Sequence, residues 1–496
     1  VTEVSDPQRD TIVAIATPPG TGALAIVRVS GPEALAVADA VFRGRGRLGD
    51  AASHTAHYGD VVRPPADRPD AGAVVDEVVD DVVATVFRSP ASYTGEDTVE
   101  MTCHGSGLVA ATVVGALLHG GARSAEPGEF TRRAFLNGKL DLTQAEAVAE
   151  VIKAATAVSL RGARNRLSGA LGARVSSLRQ QLLNCAAHVE LELDFAEEDI
   201  ELIPAEQAVA EVRAVRAAIA EMLATFRAGR MLRDGIHVVL AGPPNVGKSS
   251  LLNRLAQEAR ALVTDVPGTT RDVIREDLDI HGVPVRLYDT AGLRATEEIV
   301  ERLGVERSIA TVADADLVLF VCAADEPFPH GELRQVRTAT ESGGAEVVAI
   351  ANKSDLLDRR DLLDRRDLLD RRDLLDRRDP SDGSAAGEDA DRCELAVSAH
   401  TGAGLDDLCD LLLERTVGSG GYTERTALVA SARHRDNLQR AETALARAEQ
   451  AAAAAVGGEL VAADLRDAVA CLEEIVGIVA SDDVLNRIFA EFCIGK

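Results

Sequence analysis

The chain has 496 residues, 46% of them hydrophobic, a length that allows about three domains with cores of their own. Its 80 acidic residues outweigh 53 basic ones, and the net charge of −27 excludes a general nucleic-acid binder unless a local basic patch overrides it. Seven cysteines with no C-x-x-C spacing argue against a disulfide framework and a zinc site, and neither a secretory signal nor an apolar run of ~18 residues is present, so a cytoplasmic chain with no membrane partner is expected.

In chain order, Thr11 to Gly31 reads as strand, Pro-Pro-Gly turn, strand, followed by a helix from Pro32 to Phe42. Arg28 falls inside the second apolar run, where a charge needs a partner or an anionic ligand. Arg63 to Gly72 is a proline-rich surface loop. Asp76 to Phe87 and Thr98 to Cys103 read as strands, the second carrying Glu100 up to a glycine-rich turn, and Leu108 to Leu118 as helix. This first region is α+β. From Asp141 the pattern changes: Gln144 to Asp194 and Pro204 to Arg233 are rich in Ala, Leu, Glu and Arg at helical spacing. The same character returns from Thr423 to Ala455 and from Glu459 to Val479, as expected of a helical unit interrupted by another domain.

The interrupting segment opens with an apolar strand, Ile236 to Ala241, and a glycine-rich turn that leads into a helix. Gly242, Gly247, Lys248 and Ser249 fit G-x-x-x-x-G-K-[ST], a loop whose backbone N–H groups cradle phosphates. Lys248 reaches the β/γ oxygens and the Ser249 hydroxyl ligates Mg²⁺. Of the 53 basic residues only five are lysines, namely Lys139, Lys153, Lys248, Lys353 and Lys496. A lysine surviving in so arginine-rich a chain points to a compact ammonium that a planar guanidinium does not replace.

Further nucleotide signals follow in order. Gly268-Thr269-Thr270-Arg271 lies in a polar loop, where Thr270 is placed to complete the Mg²⁺ shell and sense a γ-phosphate. The strand Val285 to Tyr288 leads into Asp289-Thr290-Ala291-Gly292, with Asp289 holding the metal through water and the Gly292 N–H on the γ-phosphate. Leu317 to Cys322 and Val347 to Ala351 are continuous apolar runs, as parallel strands covered on both faces require. The second ends in Asn352-Lys353-Ser354-Asp355, where an acidic acceptor for the guanine N1–H and amine selects GTP. Ser398-Ala399-His400 offers a backbone N–H to guanine O6.

Leu293 stands where many regulatory GTPases carry a water-orienting glutamine, so another group must do that work, and Glu297, Glu298 and Glu301 are all within reach in sequence. Asp355 to Arg378 is four copies of Asp-Leu-Leu-Asp-Arg-Arg. A six-residue period turns the leucine pair by about 120° per copy on a helix, so no apolar stripe forms and a solvated expansion is expected.

Together these stretches resemble the MnmE (TrmE) family of tRNA-modification GTPases over nearly the whole length. The resemblance rests on Thr11 to Gly31, SYTGED and HGSG, PGEFTRRAFLNGKLDLTQAEA from Pro127, GPPNVGKSS, TDVPGTTRD, DTAGLR, NKSD and the terminal FCIGK. It implies an N-terminal α+β folate-binding domain (1–138), a discontinuous α-helical domain (139–233 and 417–496) and an inserted Ras-like P-loop α/β G domain (234–416). It implies modification of C5 of the tRNA wobble uridine with a flavin-dependent MnmG-type partner in a heterotetramer, FAD entering only through that partner. A homodimer through the N-terminal domain is also implied. The resemblance further implies 5-formyl- or methylene-tetrahydrofolate as the one-carbon donor, contacted by Arg28, Glu100, Lys139 and Lys496.

The implied GTP contacts are Asn245, Val246, Gly247, Lys248, Ser249 and Ser250, then Thr264, Asp265, Val266, Pro267, Gly268, Thr269 and Thr270. Asp289, Thr290, Ala291, Gly292, Asn352, Lys353, Asp355, Ser398 and Ala399 complete the set. Mg²⁺ falls to Ser249 and Thr270, and K⁺ to Asn245, Thr264, Val266 and Thr269. Glu301 matches the water-orienting glutamate and Cys493 the C-terminal cysteine of the chemistry. Two departures stand out: the hexapeptide expansion, and Pro243 where the family commonly has arginine. The competing reading is a ribosome-assembly or regulatory GTPase switch without modification chemistry.

Overall fold

The computed structural model describes residues 10–63, 77–194, 205–261, 275–289, 315–341, 344–357, 392–417, 429–454 and 458–496. They fall into two compact units. The first joins the chain up to Ala149 with Arg166–Arg216 and Arg440–Lys496, and the second joins Glu150–Asn165 with Ala217–Gln439.

The first unit is built on a seven-stranded sheet. Its strands are β1 (Ile12–Ile15), β2 (Leu24–Ser30), β3 (Phe42–Gly44), β4 (Thr55–Arg63), β5 (Glu77–Phe87), β6 (Thr98–His104) and β7 (Arg123–Ser124), in the order β3-β4-β5-β6-β2-β1-β7. All neighbours are antiparallel except β1 and β7. Alternate residues of each strand bury one face, where Val27, Val29, Val82, Ala84, Val99 and Met101 pack on helices α1 (Ala34–Val41) and α2 (Gly107–His119). The expected helix to Phe42 stops one residue short, because Phe42 turns extended and opens β3.

Where sequence periodicity runs unbroken from Gln144 to Asp194, the chain forms three helices, α4 (Leu142–Lys153), α5 (Ala157–Leu167) and α6 (Ala170–Asp194), preceded by the short α3 (Glu129–Leu136). Reciprocal side-chain bonds mark the starts. Asp141 accepts from the Gln144 N–H while the Gln144 side chain accepts from the Asp141 N–H, and Thr156 and Ser159 repeat the exchange before α5. Gly169, at φ +86, separates α5 from α6. The next run likewise divides into α7 (Ala205–Ala224) and α8 (Phe226–Asp234). Leu171, Val175, Leu178 and Leu182 form the buried stripe of α6, and Arg179 reaches Glu473 at 2.6 Å, tying α6 to a helix near the C-terminus.

The second unit holds β8 (Ile236–Ala241), α9 (Lys248–Glu258), β9 (Arg260–Ala261), β10 (Arg275–Ile280), β11 (Val283–Asp289), β12 (Leu317–Ala323), α10 (His330–Thr340), β13 (Glu346–Asn352), β14 (Leu395–Ala396) and α11 (Leu405–Val417). The sheet order is β14-β13-β12-β8-β11-β10-β9. The strands from β14 to β11 are parallel, and β10 and β9 extend the edge antiparallel. Every residue of β12 is buried. Leu317, Leu319, Val321 and Ala323 enter one core and Val318, Phe320 and Cys322 the other, as a strand covered on both faces requires. The remaining helices are α12 (Ala432–Ala453), α13 (Gly458–Val476) and α14 (Asp482–Ala490). Among the described residues no helix is long and apolar enough to cross a membrane.

Candidate functional site

The turn after β8 is shaped by what its residues lack. A Cβ on Gly242 would lie 2.1 Å from the Val321 carbonyl oxygen, so the loop crosses β12 only because residue 242 has no side chain. Asn245 and Gly247 adopt left-handed conformations, φ 63 and 93, of the kind that curls backbone N–H groups around an anion. Gly247 then opens α9 without a side-chain cap, leaving the positive end of the helix dipole facing the loop. Lys248 is buried, and its ammonium donates to the carbonyls of Gly242 (2.9 Å) and Pro243 (2.6 Å). Ser249 Oγ donates to Asp289 Oδ2 at 2.6 Å, and Asp289 is fully buried at the end of β11. A hydroxyl on the first turn of α9 and a carboxylate at the end of β11 are the hard oxygen donors that Mg²⁺ prefers.

Asn352, at the end of β13, ties three loops together. Its Nδ2 donates to the Val246 carbonyl at 2.9 Å, and its Oδ1 accepts from the Ala399 N–H at 3.0 Å. Ser398 Oγ donates to Asp355 Oδ1 at 2.5 Å and accepts from the Thr401 N–H at 3.1 Å, which orients the exposed Asp355 carboxylate. Lys353 holds a left-handed φ of 63 between them. The expected contacts Asn245, Val246, Gly247, Asp289, Asn352, Lys353, Asp355, Ser398 and Ala399 thus sit on strand ends or the loops after them, and Lys248, Ser249 and Ser250 form the first turn of α9. Thr264 to Thr270, Thr290 to Gly292, Glu301 and the expansion from Asp358 onward lie outside the described residues, so Asn245 is the one described member of the K⁺ set.

A second constellation lies in the first unit. Arg28 and Glu100 face each other in the β2–β6 register, and the guanidinium contacts Glu100 Oε1 at 2.8 Å through Nε and 2.7 Å through a terminal nitrogen. The Arg28 guanidinium also lies over the rings of Tyr93 (5.3 Å) and Phe130 (5.6 Å), within cation–π range. Burial pushes the Tyr93 hydroxyl up from its usual range, against the pull of its bond to Thr131 and the charge of Arg28. The chain's end comes to the same place. Phe130 N–H donates to the Lys496 carbonyl at 3.1 Å, Pro127 pairs with Ile494, and Gly495 packs so tightly on Ile15 that a Cβ would sit 2.1 Å from its carbonyl oxygen. Cys493 is exposed on this tail, its carbonyl accepting from Gly128. Lys139 Nζ donates to the Pro90 carbonyl at 3.0 Å, on the loop that carries Tyr93.

Sequence reasoning passed over what holds this arrangement. Arg133 is 3% exposed and donates to Glu96 at 3.2 Å, to Glu129 at 3.0 Å and to the Asp10 carbonyl at 2.7 Å. Arg123 bridges Glu129 and Asp10. Burial raises the Glu129 carboxyl, yet Arg123, the Glu126 N–H and Arg133 together hold it below the usual range. The signal was in PGEFTRR: Glu129 and Arg133 are four residues apart on α3, the spacing that brings two side chains onto one helix face.

Two family models match. The one described as MnmE helical domain covers residues 142–493, and the one described as GTP-binding protein TrmE N-terminus covers 11–139. The chain is 42% identical to the tRNA modification GTPase MnmE of Heliobacterium modesticaldum, over 98% of this chain and 99% of that one. It is 40% identical to the proteins of the same name from Geobacter metallireducens (98% and 99%) and Enterococcus faecalis (98% and 98%). Among solved structures, it resembles a variant of Era from Aquifex aeolicus bound to GDP and aluminium fluoride (22% identity, 42% of this chain, 66% of that one, TM-score 0.27). The G domain of the T. maritima FeoB iron transporter is similar at 24% identity (36% and 98%, TM-score 0.23).

Proposed function

Because this chain belongs to the MnmE family of tRNA modification GTPases, we propose that it couples GTP hydrolysis to modification at C5 of the tRNA wobble uridine. The observation that carries this reading is the union, in one chain, of the guanine-selective phosphate loop with a C-terminal FCIGK tail seated on the PGEF turn. An assembly or regulatory switch would need only the first.

In the nucleotide loop, Lys248 would neutralise the β/γ oxygens, and Ser249 and Thr270, with Asp289 behind them, would hold Mg²⁺, which would offset the phosphate charge. Asp355 selects guanine, with Ser398 fixing its carboxylate, while the Ala399 N–H expected at guanine O6 donates to Asn352 Oδ1. Glu301 orients the attacking water, the task Leu293 leaves open. Asn245, Thr264, Val266 and Thr269 would hold K⁺, which would supply the positive charge that an arginine supplies elsewhere. Potassium should therefore accelerate hydrolysis well beyond sodium at equal ionic strength, and equal rates in the two salts would overturn the Asn245 assignment.

The Arg28–Glu100 pair, flanked by the faces of Tyr93 and Phe130, suits a flat heterocycle that carries both donors and acceptors, as a tetrahydrofolate does. Folate supplies a one-carbon unit when bound. Arg28 and Glu100 then bind and orient the ring, Lys139 and Lys496 add positive charge nearby, and Cys493 offers a thiol on the same tail. A flavin-bearing MnmG-type partner completes the chemistry in a heterotetramer, with this chain dimeric through its N-terminal domain. The test is nucleoside mass spectrometry of tRNA from cells lacking the gene. The C5-modified uridine should vanish and return with the native gene but not with Lys248→Ala. Unchanged wobble uridines would overturn the reading.

A further inference from the structure

An acidic chain that acts on tRNA must meet a polyanion somewhere, and the sequence from Val41 to Gly49, VFRGRGRLG, carries three arginines and no acid in nine residues. In the structure this run passes from the last residue of α1 through the edge strand β3 into the turn that follows. With α1 it lines a cleft of about 510 Å³, and Arg43, Arg45 and Arg47 are all exposed there. We infer that this arginine cleft grips the phosphate backbone of tRNA, resting on the tRNA-modification reading above.

The local chemistry assigns the three arginines different tasks. Arg43 donates to the carbonyls of Ala40 and Phe42 and faces Asp60 in the β3–β4 register, so it anchors the turn to the end of α1. Arg47 is 77% exposed and lies 3.6 Å from Asp39. That carboxylate, which also lines the cleft, accepts from the Leu48 N–H at 2.6 Å and the Gly49 N–H at 3.0 Å, so it shapes the turn that presents Arg47. Arg45 stands between two glycines. Gly44 is required by packing, since a Cβ there would meet the Phe42 ring at 2.4 Å. Gly46 has open space around it and no positive φ, so no steric demand of the fold explains it. A bare backbone between two exposed guanidinium groups lets a bulky phosphodiester come close to both. The one aromatic ring of the turn, Phe42, is buried, so the cleft has no base-stacking platform. It reads phosphate and not sequence.

The test is tRNA binding by the full-length protein across a salt series, comparing the native chain with the double variant Arg45→Gln/Arg47→Gln. Arg43 is left in place because it supports the turn. Losing two phosphate contacts lowers the slope of log affinity against log salt by about 1.4 to 1.8, which is roughly a 15- to 30-fold loss of affinity at 0.15 M salt. Intrinsic GTP hydrolysis and the far-ultraviolet circular dichroism should not change, and Arg45→Lys/Arg47→Lys should retain the slope. Equal affinity and slope in native and Gln forms would overturn the cleft assignment while leaving the tRNA reading intact. A native chain that binds no tRNA at 50 mM salt, alone or with its partner, would overturn both. Vesicles of phosphatidylglycerol that retain the native chain but not the Gln variant, with tRNA affinity unchanged, would assign the cleft to a membrane surface and overturn it as well.

Discussion

The close approach of the Asn352 amide to Gly247 sets the size of one substitution effect. A Cβ at residue 247 would lie 2.4 Å from Asn352 Nδ2, and the backbone there holds φ +93. Gly247→Ala therefore incurs two separate costs. Holding an alanine in a left-handed conformation costs about 1–2 kcal/mol. Displacing the Asn352 amide sacrifices its bonds to the Val246 carbonyl and the Ala399 N–H, a net loss of about 1–3 kcal/mol for the two. The substitution should destabilise the nucleotide-binding unit by about 2–5 kcal/mol and weaken guanine nucleotide binding, because it loosens the phosphate loop and the guanine loop together. In an Asn352→Ala background the obstructing amide is gone, and only the backbone strain of about 1–2 kcal/mol remains. Urea unfolding followed by far-ultraviolet circular dichroism, with fluorescent GDP titration alongside, measures all four corners of the cycle. The same cost for Gly247→Ala in both backgrounds would refute the clash and reduce the effect to strain alone.

Three other outcomes follow from named groups. Glu129 is buried with its carboxyl held below the usual range, so its contribution to stability is present above the ordinary carboxylate pKa and lost as pH falls through the depressed value. Glu129→Gln should cost about 1–3 kcal/mol at neutral pH, because Arg133 keeps Glu96 and Arg123 keeps Asp10, and should flatten the acid limb of stability; an unchanged limb in pH-resolved urea unfolding would contradict this. Ser249→Ala removes one oxygen beside Asp289, so hydrolysis should need at least several-fold more Mg²⁺ for half-maximal rate while the fold is kept; identical Mg²⁺ titrations would remove Ser249 from the metal site. Finally, Asp80 accepts from both the His104 ring and its N–H, and this raises the imidazole pKa above its usual value. In Asp80→Asn the His104 titration should move down toward 6.5, read by proton–carbon NMR of the ring; no movement would show that the pair does not form in solution.

The nucleotide site was legible in the sequence because its determinants are local. A phosphate loop needs glycines, a lysine and a hydroxyl at fixed offsets between a strand and a helix, and Gly242, Gly247, Lys248 and Ser249 occupy those offsets. The parallel strands were equally plain, since a strand buried on both faces must be apolar throughout, as β12 is. Helix boundaries were less so. Periodicity across Gln144 to Asp194 registers which face is apolar, but Thr156 and Gly169 break the helix through capping and a left-handed turn that leave the apolar period almost intact.

What the sequence determined by itself was chemistry carried by neighbours in the chain: the GTP motifs, the acidic balance, the alternation of α+β, helical and nucleotide-binding segments. What only the tertiary structure decided was which distant residues touch. Arg28 meets Glu100 because β2 and β6 pair in one register, and a shift of one residue would send the two side chains to opposite faces. Phe130 meets Lys496, and Asn352 meets both Val246 and Ala399, across separations of hundreds or scores of residues. Such contacts leave no period or spacing in the chain, because they are fixed by how sheets and helices close on one another once each has formed.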